Sequence, residues 1–181
     1  TSPGMIGEFE FPFLLQNEPI KTGSTNFGSG YFELIQTPIA ISGFSQKTIE
    51  NLSPIFSEYG MIPVQGGGSS GQKDAEEVKL EPGSVICIQF VKGDSDVSAS
   101  GTVTYVDDEK VLAFGHPMSA MGATNMPASI GKIGLLVPSM SASSKLGVPV
   151  KTVGTLTYDS QYGIMINTEK QPEYIPMKVK I

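Results

Sequence analysis

The chain contains a single histidine, His116, in the run VLAFGHPM at residues 111–118. Imidazole is the side chain best suited to general-base chemistry near neutral pH. To act as a base it must be held within about 3 Å of the hydroxyl it deprotonates. Its neighbours suit that role. An apolar run leads in, Gly115 permits close backbone approach, and Pro117 stiffens the exit. The structural alternative is a histidine packed at a strand end.

The other chemistry-bearing residues are less well placed. Cys87 stands alone in the alternating run GSVICIQF and reads as a buried strand thiol. A nucleophilic role would need a base and an exposed thiolate. One cysteine makes no internal disulfide, so it leaves the redox compartment open. Serines occur at 69, 70, 119, 139, 141, 143 and 144, none within an oxyanion-hole glycine motif. Ser119 is also too close in sequence to His116. Asp107 and Asp108 fall in a hairpin turn, where aspartate is favoured. Asp94 and Asp96, in KGDSDVSASG, lack the glycine and glutamate of a calcium loop and read as a turn. Asp159 closes GTLTYD and would orient His116 only if the fold brought the two together. Met118, Met121 and Met126 lie beside His116, but core filling is their default and no spacing supports a soft-metal site. The stretch GGGSSG lacks the Lys-Ser/Thr ending of a phosphate-binding loop, and no helix pattern follows it. No metal and no cofactor is expected.

The elements that must position these residues are mostly strands. GTVTYV, DDEK and VLAFGH form a hairpin pattern, with β-branched and aromatic residues around a short polar turn. Further strands are expected at 31–42, with Pro38 at an edge or bend, and in KIGLLVP, VPVKTVGTLTYD, YGIMINT and EYIPMKVKI. The last alternates Ile175, Met177, Val179 and Ile181 on one face. GEFEFPFLL reads as an edge strand broken at Pro12, KTGSTNFGSG (21–30) as a loop, and 65–77 as a flexible stretch. One helix is expected near residues 45–59. Ile49, Leu52, Phe56 and Tyr59 share a face, Ser45 is the N-cap and Gly60 the stop, and Pro54 should bend it or begin a second turn. The fold class is therefore mainly β, a barrel or sandwich carrying one helix.

The totals agree. The 181 residues suit one domain, or one domain plus an arm, here 1–36 as an N-terminal arm and 37–181 as the β domain. Hydrophobic content of 39% and charged content of 17% fit a globular chain, and 21 glycines with 13 prolines favour short strands and turns. All twelve basic residues are lysines and the net charge is −6, which argues against nucleic acid as a partner. No apolar run approaches the roughly 20 residues of a transmembrane helix, and no signal peptide is visible. Beginning at Thr1, the chain reads as a processed or excised form.

Several segments, in order, resemble the SpoIVB peptidase family of bacterial serine peptidases: ISGFSQ, LEPGSVICIQFVKGDSDVSASGTVTYVDDEKVLAFGHPM, SSKLG, VGTLTYDSQYGI and YIPMKVKI. The resemblance covers roughly residues 37–181. Its most specific parts are Gly93-Asp94, GTVTYVDDEKVLAFGHP and VGTLTYD. It implies a barrel related to the chymotrypsin-like double barrel, with His116 as the catalytic general base. It also implies protein or peptide substrates and an extracytoplasmic or cell-envelope location. The family's Gly-Met-Ser-Gly-Ser-Pro nucleophile motif does not occur here. The serine is then expected before Thr1 or beyond Ile181, and the chain alone should be inactive. The alternative is a non-catalytic binding or interaction module on the same fold, with loops 65–77 and 119–129 making the contacts.

Overall fold

The computed structural model describes residues 25–27, 30–32, 37–66, 78–137 and 144–178. It is mainly β with one helix, as the strand and turn patterns imply. β1 (Thr25–Phe27) and β2 (Gly30–Phe32) form a separate antiparallel pair, so the expected loop at 21–30 contains strand. The reading of an edge strand at GEFEFPFLL, and most of the 65–77 stretch, lie outside the described residues.

β3 (Thr37–Ser42), α1 (Gln46–Glu58) and β4 (Met61–Gln65) form a strand–helix–strand unit in which β3 and β4 run parallel. The Ser45 side chain accepts the Thr48 amide, and Gly60 follows the helix at φ 68°. A serine cap of this kind stabilises a helix by about 1 kcal/mol, and the left-handed conformation after it is one that glycine adopts at little cost. The helix runs on past Pro54 in one piece. Pro38 lies inside the sheet rather than at its edge, because β3 has neighbours on both sides. It sits before Ile39, where the pairing with the next strand begins, so its missing N–H interrupts no bond on that side.

The remaining strands are β5 (Val85–Val91), β6 (Asp96–Asp107), β7 (Lys110–Ala113), β8 (Gly122–Val137), β9 (Ser144–Ser160) and β10 (Gly163–Asn167). Their hydrogen bonds form an uneven, barrel-like ring in the order β6-β5-β8-β9-β10-β7 and back to β6. β3 and β7 follow one another along the same edge of β6, at Asp96–Ala99 and Val103–Asp107. The expected hairpin is β6–β7, with Asp108 in its turn at φ 45°. Between β7 and β10, Val111 pairs with Ile166 and Ala113 with Ile164.

The barrel interior holds Ile39, Ile41, Ile86, Ile88, Val103, Val111, Leu156, Ile164 and Ile166, all essentially without exposure. Complete burial of such a side chain is worth about 1.5–3 kcal/mol. β5 is also covered on its other face. There the β8–β9 hairpin bends over Cys87, and a Cβ added at Gly131 or Gly147 would lie 2.8 or 2.9 Å from its sulfur. Only glycine at those two positions lets the backbone approach so closely. Two expectations need correction. Residues 122–129, read as loop, belong to β8 and pair with β9, since long-range pairing overrides their polar composition. Residues 173–178, the described part of the strand expected at EYIPMKVKI, form none, and Ile175 and Met177 stand exposed. Among the described residues no helix is long and apolar enough to cross a membrane.

Candidate functional site

His116 lies just beyond β7, half-buried. The chain reaches it through two successive left-handed residues, Phe114 and Gly115, each at φ 73°. For Phe114 this backbone costs roughly 1–2 kcal/mol. Two contacts hold it. Its amide donates to the Thr102 carbonyl at 2.9 Å. Its ring packs against Gly101, where an added Cβ would come under 3.0 Å from three ring atoms. The His116 ring then packs against Phe114, with centroids 5.5 Å apart. The turn-out of the chain at His116 therefore depends on a glycine fifteen positions upstream, a signal that sequence reading missed.

His116 Nδ1 lies 2.8 Å from the Pro117 carbonyl oxygen. A carbonyl can only accept, so this bond requires Nδ1 to carry the proton. In the neutral ring Nε2 is then the lone-pair nitrogen, and it has no hydrogen-bond partner among the described residues.

The loop after His116 is fixed from below by Asp159, in β9, which is 1% exposed. Its Oδ1 accepts the Met118 amide at 2.9 Å. Its Oδ2 accepts the Ser119 amide at 2.8 Å, the Ser119 hydroxyl at 3.1 Å and the Met121 amide at 3.4 Å. A second tie comes from the other side: Thr37 Oγ1 donates to the Met118 carbonyl at 3.3 Å, while the Thr37 amide donates to Gly60. β3, the helix end and the histidine loop thus meet at Thr37. Asp159 does not touch the His116 ring. It holds the segment next to it.

The remaining sequence candidates separate. The Ser119 hydroxyl is engaged by Asp159, not by His116. Ser69, Ser70, Ser139, Ser141 and Ser143 lie outside the described residues, and among the described ones no serine hydroxyl bonds to the histidine. Met118 is in the core and Met121 is exposed, so the methionines do not converge on the imidazole. Cys87 has no exposure, and burial, with Asp96 adding to it, pushes its thiol up to about 12. Among the described residues no three His, Cys, Asp or Glu side chains cluster as a metal site would require.

Asp96 departs from the turn reading. It is in β6, buried, and its Oδ2 accepts from Gln89 Nε2 at 2.7 Å. Gln89 Oε1 accepts from Ser129 at 2.6 Å, Ser129 contacts Thr152, and Lys92 Nζ donates to Thr152 at 2.8 Å. This chain fastens the β8–β9 hairpin to β5 and β6 beside a cavity of about 190 Å³. Burial raises the Asp96 carboxyl above its ordinary value, against the opposing effects of Gln89, Ser98 and Lys92. A second, mainly apolar cavity of about 240 Å³ lies between Gly66 and the hairpin. His116 lines neither.

Comparison with family models, with curated proteins and with solved structures gives no match to this chain.

Proposed function

We propose that this chain is the histidine-bearing part of a serine peptidase of the SpoIVB type, with His116 as general base. The serine comes from a part of the protein other than the described residues. The observation that carries the reading is the bond between His116 Nδ1 and the Pro117 carbonyl. It leaves Nε2 as the acceptor, the arrangement a general base needs toward a serine hydroxyl. The loop is held on both sides and enters through a left-handed non-glycine residue, as segments pinned for chemistry often do. The ordered sequence resemblance supplies the substrate class, a protein or peptide, and an extracytoplasmic or envelope location.

A second reading keeps the fold and drops the chemistry, making the domain a binding module. It is favoured by the absence of a serine hydroxyl on His116 among the described residues, and by exposed Ile133, Leu135 and Leu136 on β8. A fluorophosphonate probe on the complete protein separates the two. Labelling of a serine that His116→Ala abolishes supports the peptidase. No labelling, in a reading frame without the Gly-Met-Ser-Gly-Ser-Pro motif, leaves the binding module.

A further inference from the structure

His116 and Asp159 share one peptide group. The Pro117 carbonyl, which accepts from His116 Nδ1 at 2.8 Å, and the Met118 amide, which donates to Asp159 Oδ1 at 2.9 Å, are opposite ends of the same planar unit. We infer that Asp159 is a positioning residue that orients His116 and selects its tautomer through the Pro117–Met118 peptide. The carboxylate fixes the plane by its bond to the N–H. That bond also polarises the amide, which makes the carbonyl at its other end a stronger acceptor. The stronger acceptor holds the proton on Nδ1 and leaves Nε2 bare. In a serine peptidase the carboxylate meets the imidazole directly; here one backbone amide stands between them. The two further amides and the hydroxyl on Oδ2 keep the carboxylate from turning, and its 1% exposure excludes water as a competing donor.

The inference rests on the reading of His116 as the base, but its test requires no reaction. His116 is the only histidine, so the ring nitrogens of the 15N-labelled 181-residue chain give one residue's signals. Neutral wild-type protein should show a protonated Nδ1 and a bare Nε2. Asp159→Asn keeps the shape but offers one acceptor oxygen in place of two. It should lose the single tautomer and move toward the Nε2–H form favoured by a free histidine side chain, with the strand amides unchanged. In the complete protein the same variant should slow fluorophosphonate labelling by about tenfold or more, since a misoriented tautomer is a poor base.

A folded Asp159→Asn protein with the wild-type tautomer would make Asp159 a loop anchor and overturn the inference. So would an Nε2–H tautomer in the wild type. Should Asp159→Asn not fold, scalar couplings in the wild type decide. Couplings across both bonds, from His116 Nδ1 to the Pro117 carbonyl carbon and from the Met118 nitrogen to the Asp159 carboxyl carbon, support the relay; loss of either refutes it. Failure of labelling with an intact tautomer response refutes the peptidase reading and leaves the relay standing.

Discussion

The ring of Phe114 occupies the space a side chain on Gly101 would need. Gly101→Ala must therefore displace the ring or bend β6. Overpacking of this kind costs about 1–3 kcal/mol. A lowered urea midpoint, together with a shifted His116 ring signal, is the expected result. An unchanged His116 signal would uncouple the Phe114 contact from the site.

Cys87 should behave as an inert thiol until the fold opens. At pH 8 a thiol reagent should find no reactive cysteine in the native protein and one in denaturant. The pH dependence follows from the raised value. Below the ordinary value of 9.0 the thiol is protonated in both states and contributes nothing. Between 9.0 and about 12 the unfolded chain ionises and the folded one does not, so stability falls by about 1.4 kcal/mol per pH unit from this group. Denaturant melts from pH 8 to 11 should lose that slope in Cys87→Ala. Equal slopes in both proteins would show that other groups govern the alkaline limb.

Asp96 makes the opposite of the usual carboxylate prediction. Its folded value is raised, so the fold favours the protonated form, and the cost of ionisation grows as pH rises above 3.8. Asp96→Asn keeps an acceptor for Gln89 and removes the buried charge. It should be neutral or stabilising at pH 7, with the difference from wild type shrinking toward pH 4. A strong destabilisation at pH 7 would mean that Lys92 and the hydrogen bonds outweigh burial.

Ser119 lies next to the site without belonging to its chemistry. Ser119→Ala removes one donor from Asp159 and should cost about 0.5–1.5 kcal/mol in thermal unfolding. Fluorophosphonate labelling of the complete protein should persist, slowed far less than by Asp159→Asn, because the Met118, Ser119 and Met121 amides still hold the carboxylate. Loss of labelling would make Ser119 the nucleophile.

These residues also mark how far sequence reading reached. Helix α1 was legible because its signals are local: Ser45 caps it, Gly60 stops it, and Ile49 and Phe56 share its buried face. The β6–β7 turn was legible for the same reason. What was missed depends on partners distant in the chain. Asp96 looks like a turn residue beside Gly93 and Asp94 until the β8–β9 hairpin covers it and Gln89 reaches across. Asn125 to Ser129 read as loop because strand character there comes from pairing with β9. Ile175 and Met177 carry a strand's alternation with no strand beside them. At the site, the residues around His116 left both a base and a packed strand-end histidine open, and the resemblance put it forward as the base. The means by which Asp159 reaches it depend on β9 running beneath the loop.

The loop after His116 is held at its two ends by pairings of different range. Its far end runs into β8, where Gly122 pairs with Asp159 inside the β8–β9 hairpin, so the carboxylate comes to the loop with that hairpin. Its near end follows β7, whose Val111 and Ala113 meet Ile166 and Ile164 of β10 only when the chain is drawn round to close the ring. Loosening the β7–β10 seam would therefore release the loop on the Phe114 side while the Met118 and Ser119 amides stay on Asp159.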